Sequence, residues 1–422
     1  MDVGKESTAG SGIAHLSGMQ LRVVLLCAAV TLVDGLDTQS IAFVAPHIVD
    51  AWRVNPALFA PVFSAGLLAS FIGALVLGPM GDRFGRKPAL LISLAIFAAG
   101  SLGTAFAGSI ASLIALRLVT GLGLGGALPC AITLASEYAP SERRESLVSL
   151  MFCGFPLGAV LGGLLSEAMV ALWGWQSVFI VGGVLPIVLG AAFVPFVPES
   201  VSYLASRKQS TESRNVPRSA DRVGVHRLFT DGRAPSTLLL WMTLFLSLLL
   251  TYFLISWIPL IARASGTNVR AGVLAVSLLN LGAICGSIPL GRLGDRYSPW
   301  RAICGGYGAG ALAIFLIGQC QHSSALLCSV AFLAGVFSIG AQMCTVSYAA
   351  GLYETQLRAT AVGWAMGIGR LGAIVGPMLG GVFTSAGMSP PMLFAIAAAV
   401  SLAACGSMWG IGAATDGRLR VR

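Results

Sequence analysis

Gly78-Pro79-Met80-Gly81-Asp82-Arg83-Phe84-Gly85-Arg86-Lys87 is a short charged stretch between two long apolar ones, 57–80 and 88–108. About 20 apolar residues are enough to cross a bilayer as a helix, and basic residues collect in the short loops on one side of it. The stretch therefore reads as a turn between two membrane-spanning helices. The whole chain fits that reading. Of its 422 residues, 56% are hydrophobic and 10% charged, against about 25% charged in a soluble protein. The mean hydropathy is +0.84. A soluble globule could not hide that much apolar surface, and a disordered chain would not carry it. The 53 glycines follow no G-X-Y period, which excludes collagen. The nine cysteines form no C-x-x-C or Cys/His cluster, so they read as small packing residues and imply no metal or cofactor.

Working outward from the turn, twelve apolar segments appear. The first six are 21–47, 57–80, 88–108, 110–138, 145–170 and 174–196. The second six are 237–262, 269–291, 300–318, 323–352, 358–385 and 389–413. This predicts an all-α membrane protein with a six-helix bundle over 21–196, a second over 237–413, a polar connector at 197–236, and tails at 1–20 and 414–422. The connector holds seven Lys/Arg and a candidate short amphipathic helix near 223–229. Placing both termini in the cytoplasm puts 21 of the 26 Lys/Arg on that side. Arg53, Arg263 and Arg270 fall outside, while Arg117 and Arg370 lie within spans. The net charge of +9 thus reports topology and contact with anionic lipid rather than a nucleic-acid partner. Residues 1–20 do not read as a cleaved signal.

The two halves echo each other. Gly291-Arg292-Leu293-Gly294-Asp295-Arg296 repeats the G-x-x-x-D-R of the first turn, 213 residues later. Tyr138…Arg144 before the fifth span is echoed by Tyr353…Arg358 before the eleventh. Repeated halves around a central path are the architecture of secondary transporters. The charged turns read as a latch that closes the cytoplasmic mouth and breaks during alternating access. Its candidate members are Asp82, Arg83, Arg86, Glu137, Arg144, Asp295, Arg296 and Arg358, with Glu137 expected to meet Arg143, Arg144 or the Asp82–Arg83 turn.

The first turn resembles the G-x-x-x-D-R-x-G-R-K signature of the major facilitator superfamily. Arg117-Leu-Val-Thr-Gly121-Leu-Gly123-Leu-Gly125-Gly126 is similar to its fourth-helix motif. Asp34-Gly35-Leu36-Asp37-Thr38 resembles the D-G-x-D pattern of one branch, the aromatic acid:proton symporters. Gly123–Pro129, Tyr353–Thr360 and Gly367-Ile-Gly369-Arg370 resemble that branch too. The resemblance covers essentially the whole chain. It implies two pseudo-symmetric six-helix bundles and uptake of compounds such as 4-hydroxybenzoate, protocatechuate, benzoate or hydroxyphenylpropionates into bacteria for aromatic catabolism, across the inner membrane. Two positions depart from the pattern. The second turn continues Tyr297-Ser298-Pro299-Trp300-Arg301 without G-R-K, and Cys130 stands where the branch commonly has Asn.

Charged residues deep in a span are costly and mark function. Asp34 and Asp37 are three residues apart, about 4.5 Å along a helix axis, and share a face. Paired carboxylates in a low dielectric tend to share one proton, which suits proton coupling, with Arg117 as the neutralising partner. A guanidinium grips a carboxylate with two hydrogen bonds, so either Arg117 or Arg370 can hold the substrate acid while the other neutralises Asp34 or Asp37; Arg370 is favoured for the substrate and Arg117 for proton coupling. Ring-contact candidates are Phe152, Phe155, Tyr252, Trp257 and Trp364. Gln39, Asn280, Gln342 and Tyr348 are candidates to read a ring hydroxyl. His47 reads as a solvated cap near an outer helix end. These features predict a proton-coupled symporter of an aromatic carboxylate, acting as a monomer. An efflux antiporter and a carrier of a non-aromatic acid such as a muconate-type dicarboxylate are the alternatives. The fifth span reads Gly158-Ala-Val-Leu-Gly162-Gly163 without the G-P of many antiporters, which favours symport. No Walker A motif is present, so neither an enzyme nor an ATP-driven pump is expected. A chemosensor would need a signalling domain beyond the last span.

Overall fold

The computed structural model describes residues 17–140, 144–200, 203, 225–230, 232–320 and 323–420. Twelve helices are long and apolar enough to cross a membrane. The first six are α1 (Gly18–Trp52), α2 (Pro56–Phe84), α3 (Arg86–Ala105), α4 (Ile110–Tyr138), α5 (Leu150–Trp173) and α6 (Gln176–Phe196). The second six are α7 (Ala234–Ala264), α8 (Val269–Arg296), α9 (Pro299–Gln319), α10 (Ser324–Leu352), α11 (Thr360–Ser385) and α12 (Pro390–Ala414). Capping boxes at Ser17 and Ser109 start α1 and α4, where side-chain oxygens satisfy the first free N–H groups. The described part of the charged connector includes a 3-10 turn at Val225–Leu228, tied to α7 by Thr237 Oγ1 donating to the Leu228 carbonyl at 2.8 Å. Arg143 and most of the connector lie outside the described residues.

The helices form two bundles with the same internal neighbours. In the first, α1 packs on α5, α2 and α3 on α4, and α3 on α6. In the second, α7 packs on α11, α8 and α9 on α10, and α9 on α12. Small residues allow the closest crossings, as is usual between membrane helices. A Cβ at Gly158 would strike the Leu32 carbonyl and one at Gly35 the Phe155 carbonyl, so α5 and α1 pack backbone to backbone. Gly372 and Gly376 meet the Phe245 and Leu249 carbonyls in the corresponding α11–α7 crossing.

The bundles meet through α2–α11, α5–α8 and α1–α7. The face carrying the α2–α3 and α8–α9 turns is the basic face. Several hydrogen bonds and an ion pair join the bundles at mid-depth and toward the opposite face. Gln39 and Asn280 exchange amide hydrogen bonds of 3.0 and 2.9 Å, Ser64 Oγ donates to the Ile374 carbonyl at 2.8 Å, and Arg263 pairs with Asp50. Phe63 packs edge-on against Trp257 beside them, ring centroids 6.2 Å apart. The protein is closed on the opposite face and open on the basic one.

Candidate functional site

A cavity of about 930 Å³ lies between the bundles and runs to the basic face. Its wall includes Asp34, Asp37, Arg117, Phe152, Phe155, Tyr252, Asn280, Gln342, Tyr348 and Arg370, with Asp295 at the mouth. Most of the side chains singled out in the sequence therefore converge on one space. Trp257 and Trp364 do not. Trp257 is buried, its Nε1 donating to the Pro377 carbonyl at 3.0 Å. Trp364 is 46% exposed on the outer surface of the bundle and stacks on Trp241. Helix rotation decided this: α11 turns Arg370 inward, and Trp364, six residues earlier, points elsewhere. Gln39 is likewise absent from the wall: it is buried, with its amide paired to Asn280.

Asp34 and Asp37 have different surroundings despite sharing a helix face. Asp37 is fully buried within the first bundle. Arg117 Nη1 donates to its Oδ2 at 3.1 Å and Ser101 Oγ to its Oδ1 at 2.8 Å. Arg117 also donates to Thr104 and Thr120 at 3.2 and 3.3 Å and lies 5.0 Å from the centre of the Phe179 ring. Its Nε has no partner. This cluster ties α1, α3, α4 and α6 together. Asp34 accepts one hydrogen bond, from Thr38 Oγ1 at 3.1 Å. The charged groups acting on it are Arg370, across in the second bundle, and Asp37. Among the described residues no hydrogen bond joins the two carboxylates directly. The Arg117 cluster holds Asp37 aside.

Arg370 lines the cavity and makes no hydrogen bond or ion pair with any described residue. The Tyr252 hydroxyl makes no hydrogen bond to a described residue either, and lies in the field of both Asp34 and Arg370.

The charged turns take local partners. Asp82 is exposed and accepts from Arg86 Nη2 at 2.6 Å, one helical turn on. Arg83 and Arg296 lie over the rings of their neighbours Phe84 and Tyr297, at 5.3 and 5.6 Å. Arg144 and Arg358 are exposed. Glu137 does not reach the Asp82–Arg83 turn or Arg144: it accepts from Ser200 Oγ at 2.5 Å, because the chain leaving α6 lies beside it. Two groups were missed in the sequence. Glu199 Oε1 accepts the first N–H groups of α3, from Arg86 at 2.8 Å and Lys87 at 3.1 Å, where a carboxylate complements the helix dipole. It sits where a Cβ at Gly85 would go, and that residue has φ 108°, which suits glycine. The other is the Asp50–Arg263 pair. Arg263 stood out as one of three basic residues outside, but its partner is 213 positions away. His47, expected as a solvated cap, is half-buried with Nε2 3.4 Å from Glu167 Oε1.

Asp50 and Arg263 are partly exposed, so their pair contributes about 1 kcal/mol or less. That is enough to shift a balance of two conformations several-fold. In Asp50→Asn, a cysteine introduced at Val62, in a background lacking the native cysteines, is expected to label several-fold faster from the opposite face. Unchanged labelling would show that the pair does not hold that face closed.

Two six-helix bundles around a charged central cavity, open on one face and closed on the other, define a membrane transporter. The profile of the Major Facilitator Superfamily matches residues 27–348 and 240–415. The chain is 37% identical over 393 residues to the 4-hydroxybenzoate transporter PcaK of Pseudomonas aeruginosa, covering 88% of each. It is 38% identical over 362 residues to the 3-(3-hydroxy-phenyl)propionate transporter of Escherichia coli, covering 86% of each. Its fold is similar to that of a D-xylose-proton symporter, with a TM-score of 0.74 at 16% identity, covering 92% of this chain and 97% of the other. The chain belongs to the Major Facilitator Superfamily; it is a transporter and not an enzyme.

Proposed function

We propose that this protein is a proton-coupled symporter that brings an aromatic monocarboxylate, such as a hydroxybenzoate, into the bacterial cytoplasm by alternating access, as a monomer. The basic face is then cytoplasmic, with 1–20 and 414–422 as cytoplasmic tails and 197–236 as a cytoplasmic connector in the inner membrane, and the conformation seen is inward-open. The observation that carries the reading is Arg370. A guanidinium inside a membrane protein without a hydrogen-bonding partner is costly, and an incoming carboxylate removes that cost with two hydrogen bonds. Arg117 is already paired with Asp37, which among the described residues leaves one free guanidinium in the cavity wall and favours a monoacid over a dicarboxylate. Phe155 and Tyr252 supply aromatic surface in the same cavity, and relatives named for hydroxybenzoate and hydroxyphenylpropionate support the class. Asp34, facing the cavity with a single hydrogen bond, is the group that takes the proton; Asp37 and Arg117 hold α1 in place for it.

The test is uptake of labelled benzoate, hydroxybenzoates and a muconate into proteoliposomes under an imposed pH gradient, acid outside. Accumulation of aromatic monoacids that collapses with the gradient is expected. Accumulation of the dicarboxylate alone, or none, would overturn the reading.

The Asp82 turn is the cytoplasmic latch in this scheme, open in the present state. Its closure brings the two basic faces together, where Asp82 and Asp295 offset the repulsion of Arg144 and Arg358. Asp82→Asn is expected to slow uptake several-fold with normal membrane insertion, and Asp295→Asn to do less. Full-rate uptake in Asp82→Asn would reduce the turn to a topological anchor.

A further inference from the structure

We infer that Gln342, held by Thr251, forms a subsite that reads a hydroxyl on the substrate ring, and this rests on the reading of the substrate as an aromatic acid. Of the amides lining the cavity, Asn280 is occupied by Gln39 and by the Val276 carbonyl. Gln342 is differently placed. Thr251 Oγ1, on α7, donates to its Oε1 at 2.6 Å, and both residues face the cavity. The carbonyl end of the amide is thereby taken, and its two N–H donors have no acceptor among the described residues.

The backbone is shaped around this point. Residues Gly335–Ile339 of α10, just before Gln342, form the only π-helical turn among the described residues. Such a turn offsets the register of all that follows and is frequent at functional sites. Gly335 opens the turn and Gly340 follows it, and both let α10 lie against the backbone of α8 near Leu279 and Gly286. A regular helix would turn residue 342 to a different bearing. Thr251 adjoins Tyr252, which lies in the field of Asp34 and Arg370. The amide thus lines the same cavity as Asp34 and Arg370 without bonding to either.

The chemistry separates the two ends of the ligand. The carboxylate goes to Arg370 by charge. A neutral N–H donor in a largely apolar cavity wall suits a neutral oxygen, and a phenolic hydroxyl accepts from it. A ring without that hydroxyl leaves the donors desolvated and unpaired. A site built to bond a hydroxyl rejects the analogue lacking it far more strongly than an apolar pocket rejects an added one.

Counterflow of labelled 4-hydroxybenzoate in proteoliposomes, inhibited by unlabelled benzoate, 3-hydroxybenzoate or 4-hydroxybenzoate, tests this. In the wild type, one hydroxybenzoate is expected to inhibit at a concentration at least about tenfold below benzoate. Gln342→Leu and Thr251→Val are expected to bring that ratio near one, by weakening the hydroxy acid and by leaving benzoate bound as well as or better than in the wild type. Thr251→Val replaces a single hydroxyl by a methyl group and decides the matter if Gln342→Leu fails to fold. A preserved ratio in a transporting variant, or equal weakening of every acid, would overturn the subsite. A wild type that is inhibited by all three acids but without preference would overturn the subsite alone. A wild type with no counterflow of any aromatic acid would overturn the aromatic-acid reading and the subsite with it.

Discussion

Asp34→Asn is expected to abolish accumulation driven by a pH gradient while leaving exchange of labelled for unlabelled substrate in place. An aromatic acid is ionised at neutral pH, since carboxyl groups titrate near pH 4. Moving the anion inward alone works against a negative-inside potential by about 2.3 kcal/mol per charge for each 100 mV. One accompanying proton makes the step electroneutral, and a gradient of one pH unit then supports about tenfold accumulation. Asparagine keeps the shape of Asp34 and its bond to Thr38 but cannot carry a proton, so the tenfold is lost. Counterflow needs only binding and the return of a loaded carrier, so it persists. The two assays are run on the same proteoliposomes. If Asp34→Asn still concentrates substrate when the gradient is imposed, the coupling proton is carried elsewhere. Asp37→Asn is expected to fail differently. It leaves Arg117 buried without its counter-charge, a loss of about 3–5 kcal/mol in folding stability. A lower Tm and poor yield, rather than uncoupled exchange, are its expected signature.

Arg370 carries the second large effect. Arg370→Gln removes the charge that meets the substrate carboxylate, and removing one partner of a buried charge pair costs about 2–5 kcal/mol, or at least about thirtyfold in apparent affinity. Arg370→Lys keeps the charge but loses the planar fork, and about tenfold is expected. Because Arg370 has no hydrogen-bonded partner among the described residues, neither change leaves a described buried group orphaned. The Tm of the unliganded carrier is therefore expected to stay near that of the wild type. Methyl esters and amides of the substrate are expected to compete poorly with the wild type and no worse with Arg370→Gln. Esters that bind the wild type as well as the acid would show that Arg370 is not a carboxylate ligand.

Span number, the pairing of halves and the family were legible in the sequence because they rest on local properties. An apolar run of about 20 residues is a span wherever it packs. A charged turn such as 78–87 shows itself by composition, and its copy at 291–296 by repetition. A charge buried inside a span is visible as soon as the span is drawn, which is how Asp34, Asp37, Arg117 and Arg370 stood out.

What each of those charges faces was decided by tertiary structure. Three residues of spacing put Asp34 and Asp37 on one face of α1, and nothing local says that α3 and α4 bring Ser101 and Arg117 to one of them only. Rotation of α11 within its bundle turned Arg370 to the cavity and Trp364 to the outside. Contacts such as Gln39 with Asn280 and Asp50 with Arg263 join residues more than two hundred positions apart. Hydropathy records how much a segment prefers to leave water. It carries no information on the side from which another helix arrives, and that side fixed which polar groups were satisfied within the protein and which were left to face the cavity.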